Sequence, residues 1–330
     1  MVVTPRTGRG GYSVATCGGL AYLDRHDGPD TGVPAMSARL RGMAQETERI
    51  VAAGAYRAPS GRLVEIAAAV RRARAGTRLY GPQAVAFEGA EPGGRTLAAS
   101  GGRTVLEVTA EGSLTAGRRL AEAGGGPLAV LNFASARNPG GGYLNGAQAQ
   151  EEALCRGSAL YTCVREAPEF YAAHRAEPSP FYSDRVILSP GVPVFRDDRG
   201  ALLEVPYEAG FLTAAAPNAG VIARQRPAET ALVAEALTAR AERVLEVAAA
   251  GGHRQLVLGA WGCGVFRNEP ADVAGAFAAH LLGAGRFAGR FDRIVFAVLD
   301  RRDDSPTRAA FREVFGAGRE EPTKGADDRE

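Results

Sequence analysis

Residues 127–134, PLAVLNFA, and the loop leaving them, 135–152, SARNPGGGYLNGAQAQEE, decide the fold. An apolar run of this kind reads as a strand buried on both faces. Such strands belong to sheets covered by helices on both sides. In those sheets ligands bind beyond the carboxyl ends of the strands. The run therefore predicts an α/β domain whose binding loop begins near Ser135.

Outward from this stretch, strand and helix patterns alternate. Strands are expected at 103–110 (RTVLEVTA), 185–189 (RVILS), 202–216, 255–260 (QLVLGA) and 293–299 (RIVFAVL). Helices are expected at 37–53, 62–75, 114–124, 149–164, 228–250, 269–284 and 305–315. The 62–75 helix rests on the stripe Val64, Ile66, Ala67 and Val70. The whole predicts a mostly parallel or mixed sheet covered by helices on both faces.

Residues 1–35 show no periodicity. They are expected to form a flexible extension, or to precede a true start at Met36 or Met43. Residues 36–125 are expected to be a helical accessory region leading into the sheet, 126–318 the core domain, and 319–330 a disordered tail.

The first loop carries chemistry. Pro139 stiffens the approach to Gly140, Gly141 and Gly142, which let a backbone take positive φ and a ligand come close. Gln150, Glu151 and Glu152 follow at the expected helix start. Adjacent helical positions point about 100° apart, so two carboxylates there would divide their labour. A general acid near neutrality needs a pKa raised by about two units, or roughly 2.7 kcal/mol of environment. The plain alternative is that both glutamates serve as helix-start charges. In that case Glu152 and Arg156, at i and i+4, would form a surface ion pair.

A second loop, 258–270 (LGAWGCGVFRNEP), spaces Gly259, Gly262 and Gly264 through a strand-to-helix turn. Free backbone N–H groups there suit a diphosphate. Phe266 is placed to stack on a base or ribose, and Asn268 with Pro270 reads as a helix N-cap. Two such loops after two buried strands suggest one phosphate-bearing ligand across both.

Together these segments resemble the catalytic macrodomain of microbial poly(ADP-ribose) glycohydrolases. The resemblance rests on the GGG–QEE spacing, on the GCGVF turn and on YRAPSGRLVEI at 56–66, and runs from about Ser37 to Phe315. It implies a three-layer α/β/α macrodomain with a mixed sheet and an N-terminal helical extension. It also implies a glycosidase that releases ADP-ribose from the terminus of poly(ADP-ribose). Glu152 would protonate the leaving ribose oxygen and then deprotonate the attacking water. Glu151 would orient ribose hydroxyls, and Gln150 would support the loop. Gly140, Gly141, Gly142, Gly262, Cys263, Gly264, Val265 and Phe266 would grip the diphosphate and distal ribose. Asn132 and Asn138 would position ribose or the loop. The polymer, or ADP-ribosylated protein, would be the substrate, with no cofactor and no metal.

Composition sets the outer bounds. The chain has 330 residues, 45% hydrophobic and 23% charged, which excludes fibrous and wholly disordered classes. A net charge of +2 gives no strong pull on nucleic acid, so sequence-specific nucleic-acid binding is not expected. One lysine, Lys324, leaves 38 of the 39 basic residues as arginine. Cys17, Cys155, Cys163 and Cys263 form no CxxC pair and read as reduced thiols. No apolar run is long enough for a membrane span, so a cytoplasmic monomer is expected. Cys263 reads as a packing residue, His280 as a satisfied boundary histidine, and His174 and His253 as surface. Trp261 reads as core, and Arg71-Arg72 and Arg118-Arg119 as solvated helix faces. Two other functions stay open. One is a module that binds ADP-ribose without cleaving it; the other is a hydrolase of mono-ADP-ribosyl or related derivatives.

Overall fold

In the computed structural model, which describes residues 33–87, 104–300 and 302–316, the run at 127–134 is a central strand of a seven-stranded sheet. The expectations for 1–32 and for 319–330 lie outside the described residues. The strands are β1 (Ala55–Arg57), β2 (Leu63–Glu65), β3 (Arg78–Tyr80), β4 (Val105–Thr109), β5 (Leu128–Phe133), β6 (Val186–Arg196), β7 (Leu202–Ala214), β8 (Gln255–Leu258) and β9 (Arg293–Ala297). The helices are α1 (Val33–Ala53), α2 (Ala67–Gly76), α3 (Ser113–Ala123), α4 (Gln150–Gly157), α5 (Leu160–Val164), α6 (Pro168–Ala176), α7 (Ala219–Gln225), α8 (Val233–Ala250), α9 (Pro270–Leu281) and α10 (Pro306–Phe315).

The sheet runs β3-β6-β7-β5-β8-β9-β4. β7, β5, β8, β9 and β4 pair in parallel, while β3–β6 and β6–β7 are antiparallel. The period-two alternation of each strand sends its residues into two cores. Leu128 and Val130 of β5 join one core, Ala129 and Leu131 the other. In β9, Val295 and Ala297 oppose Ile294 and Phe296 in the same way. The first core packs against residues of α1 to α6, among them Ile50, Val70, Leu120, Leu154 and Phe170. The second packs against α7 to α10 through Ile222, Leu237, Phe277 and Phe311. This is the three-layer α/β/α arrangement with a mixed sheet.

Several local expectations change. Residues 62–75 are not one helix: Leu63–Glu65 pairs with Ala55–Arg57, and the helix starts at Ala67. The apolar positions Val64 and Ile66 suit either period, and the pairing of Tyr56 with Val64 decides. The helix expected at 149–164 is two. It breaks at Ser158, which bridges Val194 of β6, while Ala159 N–H donates to Pro193 O (3.1 Å). β3 and β4, which come from residues ahead of 126, are the two edges of the main sheet. α1 begins at Val33, inside the expected N-terminal extension.

His174 and His253 are not on the surface; they are 2% and 5% exposed. His174 lies on the inner face of α6, its ring edge-on to Phe170 (4.6 Å), with Nε2 2.7 Å from Ser183 Oγ. His253 fills the space left by two glycines, since a Cβ on Gly210 would fall 2.5 Å from its Cε1 and one on Gly251 3.0 Å from its Cδ2. His280 does meet a partner, Thr238 O at 2.9 Å. Trp261 is core, with Nε1–H donating to Ala214 O at 3.2 Å.

Candidate active site

β7, β5 and β8 are parallel neighbours, so Ala214, Phe133 and Leu258 end at one edge of the sheet. The loops that follow leave that edge together. A Cβ on Gly259 would lie 2.6 Å from Ala297 O and 3.2 Å from the ring of Phe133, so the two loops start in contact.

Gln150 fixes the first loop to its strand. Its Oε1 accepts from Phe133 N–H (2.9 Å), and its Nε2 donates to Leu131 O (2.7 Å) and Ser113 Oγ (3.1 Å). The amide satisfies the backbone of β5 on the side it turns toward α4. This anchors the helix start against the strand end.

Glu151 and Glu152 are both buried, 2% and 7% exposed. Glu151 Oε1 accepts from Asn132 Nδ2 (3.3 Å) and its Oε2 from Ser135 N–H (2.7 Å). Glu152 Oε1 accepts from Gly142 N–H (2.8 Å) and Oε2 from Ala149 N–H (3.0 Å). Long side chains overcome the divergence of adjacent helical positions, and both carboxylates curl round one glycine. A Cβ on Gly141 would lie 2.4 Å from Glu152 Oε1 and 3.1 Å from Glu151 Oε2. Gly140 and Gly141 also have φ of +67° and +57°. Gly141 is thus a steric and conformational requirement of the two glutamates, while a Cβ on Gly140 would meet Tyr161 (2.8 Å) and one on Gly142 would meet Ala147 (2.6 Å). Burial pushes the Glu151 carboxyl up to about 8, against its hydrogen bonds to Ser135 and Asn132, which lower it.

The surface ion pair of Glu152 with Arg156 that the plain alternative would give is absent. Arg156 is 7% exposed, and its Nη1 donates to Ala147 O at 2.8 Å. Asn138 takes part through its backbone: its carbonyl accepts from Gly141 N–H (3.0 Å), and its side chain is exposed.

The second loop is built around Gly262, with φ of +74°. A Cβ there would meet Asn268 Nδ2 at 2.4 Å and Ala216 Cβ at 2.9 Å. Asn268 is not the N-cap of α9; Glu269 takes that position, and Pro270 opens the helix. Asn268 is instead turned under the loop, its backbone N–H on Gly262 O (3.0 Å). Gly264 and Val265 are exposed, Val265 at 80%, and a Cβ on Gly264 would meet nothing within 4 Å. Phe266 is half-buried against Tyr182 (5.9 Å between rings), and its carbonyl accepts from Gly220 N–H (2.9 Å). Burial pushes the Cys263 thiol up to about 12, which leaves no thiolate for nucleophilic work.

Two buried polar groups at these loops have no hydrogen-bond partner: Asn132 Oδ1 and both ends of the Asn268 amide. Among the described residues no group of three or more His, Cys, Asp or Glu gathers to hold a metal. Sequence reasoning missed Ser135 and Thr213, which support Glu151 and Asn132, the latter through Asn132 Nδ2 to Thr213 Oγ1 at 3.1 Å. The one available signal was a threonine at the end of the apolar run GFLTAAA. Reasoning also missed Arg240. Buried on α8, it donates to Phe181 O and Ala215 O (both 2.7 Å) and pairs with Asp184 (3.0 Å), tying the loop after β7 to the 181–184 segment, whose Tyr182 packs on Phe266.

Comparison with known proteins bears on this geometry. The microbial-type PARG catalytic-domain family matches residues 44–197, which hold the whole first loop. The poly(ADP-ribose) glycohydrolase (PARG) of Thermomonospora curvata is 49% identical, with a TM-score of 0.76 over 84% of this chain and 100% of that one. The same enzyme bound to the inhibitor ADP-HPD is 51% identical over 84% of this chain and 99% of that one, with a TM-score of 0.75. The PARG of Deinococcus radiodurans in complex with ADP-ribose is 44% identical, with a TM-score of 0.66 over 75% and 97%. No curated protein matches. Identity near one half, across the full length of a solved relative and through the same sheet and loops, shows that this chain belongs to the microbial-type poly(ADP-ribose) glycohydrolases.

Proposed function

We propose that the chain hydrolyses the ribose–ribose O-glycosidic bonds of poly(ADP-ribose), working from the chain terminus, with Glu152 as general acid and base. The reading rests on the mutual lock of the triple glycine and the glutamate pair, seen in the 2.8 Å bond from Gly142 N–H to Glu152. It is supported by relatives solved with ADP-ribose and with ADP-HPD. Glu152 donates its proton to the leaving ribose oxygen as the anomeric bond breaks. The oxocarbenium-like ribose takes up water, and the water's proton returns to Glu152. This differs from glycosidases whose two carboxylates flank the bond. The proton chemistry lies wholly with the glutamates, so the reaction proceeds in EDTA. The protein acts as a cytoplasmic monomer.

Glu151 competes for the acid's role, because a raised pKa marks groups that carry protons at neutrality. Its oxygens, however, are bound to Ser135 and Asn132 at the strand end, and it is the more deeply buried of the two. It orients ribose hydroxyls instead. Gly140 to Gly142 and Gly262 to Phe266 hold the diphosphate and distal ribose.

The test is ADP-ribose release from automodified polymer, followed by chromatography. Glu152→Ala lowers release by about 10²–10⁴-fold, while calorimetry shows ADP-ribose still bound. Release that survives Glu152→Ala but is lost in Glu151→Gln would reverse the two roles. Binding without release by the wild-type protein would make it a reader. Faster turnover of mono-modified protein than of polymer would move the substrate class.

A further inference from the structure

Behind the catalytic loop, α1, the last turn of α4 and the β6–β7 turn frame a small cleft of about 60 Å³ that opens to solvent. Arg39, Arg156, Arg196 and Arg199 line it, with Asp197 and Asp198. The carboxylates near it keep their charge but turn their oxygens to other partners. Asp197 Oδ1 accepts from Arg199 N–H (2.9 Å) and Ala201 N–H (2.8 Å), which closes the turn. Asp198 Oδ2 accepts from Thr115 N–H (2.8 Å) and Thr115 Oγ1 (2.6 Å) at the start of α3. Glu46 pairs with Arg196 at 2.8 Å.

Among the described residues Arg39, Arg156 and Arg199 make no direct ion pair. Arg156 is more than nine-tenths buried, yet the one hydrogen bond of its guanidinium goes to a neutral carbonyl, Ala147 O. Glu152 attracts it from one turn back, but both oxygens of Glu152 are held by Gly142 and Ala149. Arg39 repels Arg156 from the other wall, and its own contact is Met36 Sδ at 3.7 Å. Arg199 is exposed at the mouth and makes no ion pair among the described residues. A buried guanidinium that meets its carboxylate only at a distance, with Arg39 across the cleft, gains from an anion that bridges the two. Planar arginine forks favour phosphate oxygens.

We infer that this cleft is an anion site for a phosphate or diphosphate group, distinct from the glycine loops. Arg156 is its buried anchor, and Arg39 and Arg199 close over the ligand. The site does not depend on the glycosidase reading.

Calorimetry with inorganic pyrophosphate tests it, in protein already saturated with ADP-ribose so that the glycine loops are occupied. One further equivalent binds, and Arg39→Glu and Arg199→Glu, both surface changes, each weaken it by about tenfold or more. Arg156→Gln abolishes it, with circular dichroism confirming the fold. No heat in the wild-type protein, or wild-type affinity in both charge-reversal variants, overturns the site. Failure to bind ADP-ribose at all would instead count against the proposed function. The source of the anion is read in Glu152→Ala protein. Displacement of pyrophosphate by long polymer assigns the site to a further ADP-ribose unit, and persistence of binding assigns it to the free anion.

Discussion

Glu151 shows how one residue couples site chemistry to stability. Burial raises its carboxyl to about 8, from an ordinary value of 4.5. The folded protein therefore keeps a proton that the unfolded chain releases. Between about pH 4.5 and 8 the native state binds more protons, so this residue makes stability fall as pH rises. Glu151→Gln removes the dependence. Asn132 Oδ1, which lacks a partner, can accept from the new amide if the Asn132 amide turns over. The variant should gain on the wild type from pH 5 to pH 8, by on the order of a few kcal/mol. Thermal melts at both pH values check this, and parallel shifts at the two would count against it. The triple glycine was legible as a site of close approach. What approaches it was not, because the sequence placed a ligand there while the fold also brings two carboxylates of the protein itself.

At the scale of elements, the decisive joint is between β5 and α4. Gln150 bonds both the N–H of Phe133 and the carbonyl of Leu131, so it holds the helix start to the strand end. Gln150→Ala leaves both backbone groups unpaired. It should cost about 2–4 kcal/mol in urea unfolding and lower ADP-ribose release more than ADP-ribose affinity, since Glu152 rides on the same turn. Unchanged kinetics in a destabilised variant would reduce Gln150 to a structural tie. The residue was legible as loop support, though its partners were not. The break between α4 and α5 was invisible in sequence, because it is made by β6: Ser158 pairs with Val194, thirty-six residues away. Gly157 marks crowding there from α3 as well as β6, as a Cβ would fall 2.4 Å from Leu114 Cδ1 and 3.4 Å from Arg196 O.

For the whole molecule, the sheet divides the apolar residues into two cores, and polar residues trapped in them set the acid limit of stability. Among the described residues neither ring nitrogen of the buried His253 finds a hydrogen-bond partner, and burial lowers its pKa to about 4. His174 is lowered likewise to about 4, mainly by burial and then by Arg240. A base depressed in the folded state is protonated first in the unfolded chain, so its stabilising effect is lost as pH falls from about 6.5 to 4. His253→Leu should therefore flatten the loss of melting temperature over that interval, by on the order of 3 kcal/mol at its acid end. Equal pH slopes in variant and wild type would contradict the assignment.

The order of strands and helices, the burial of both sheet faces and the two glycine-rich loops were written in local pattern. Period-two and period-3.6 spacing, glycine and proline act within a few residues of themselves. The convergence of those loops was decided elsewhere. Only the parallel register of β7, β5 and β8 brings Ala216, Phe133 and Gly259 to one edge. Only packing buries Glu151 deeply enough to hold its proton, draws His174 and His253 inside, and leaves Arg156 facing other arginines. Burial and charge proximity are properties of residues distant in the chain, and no local pattern encodes them.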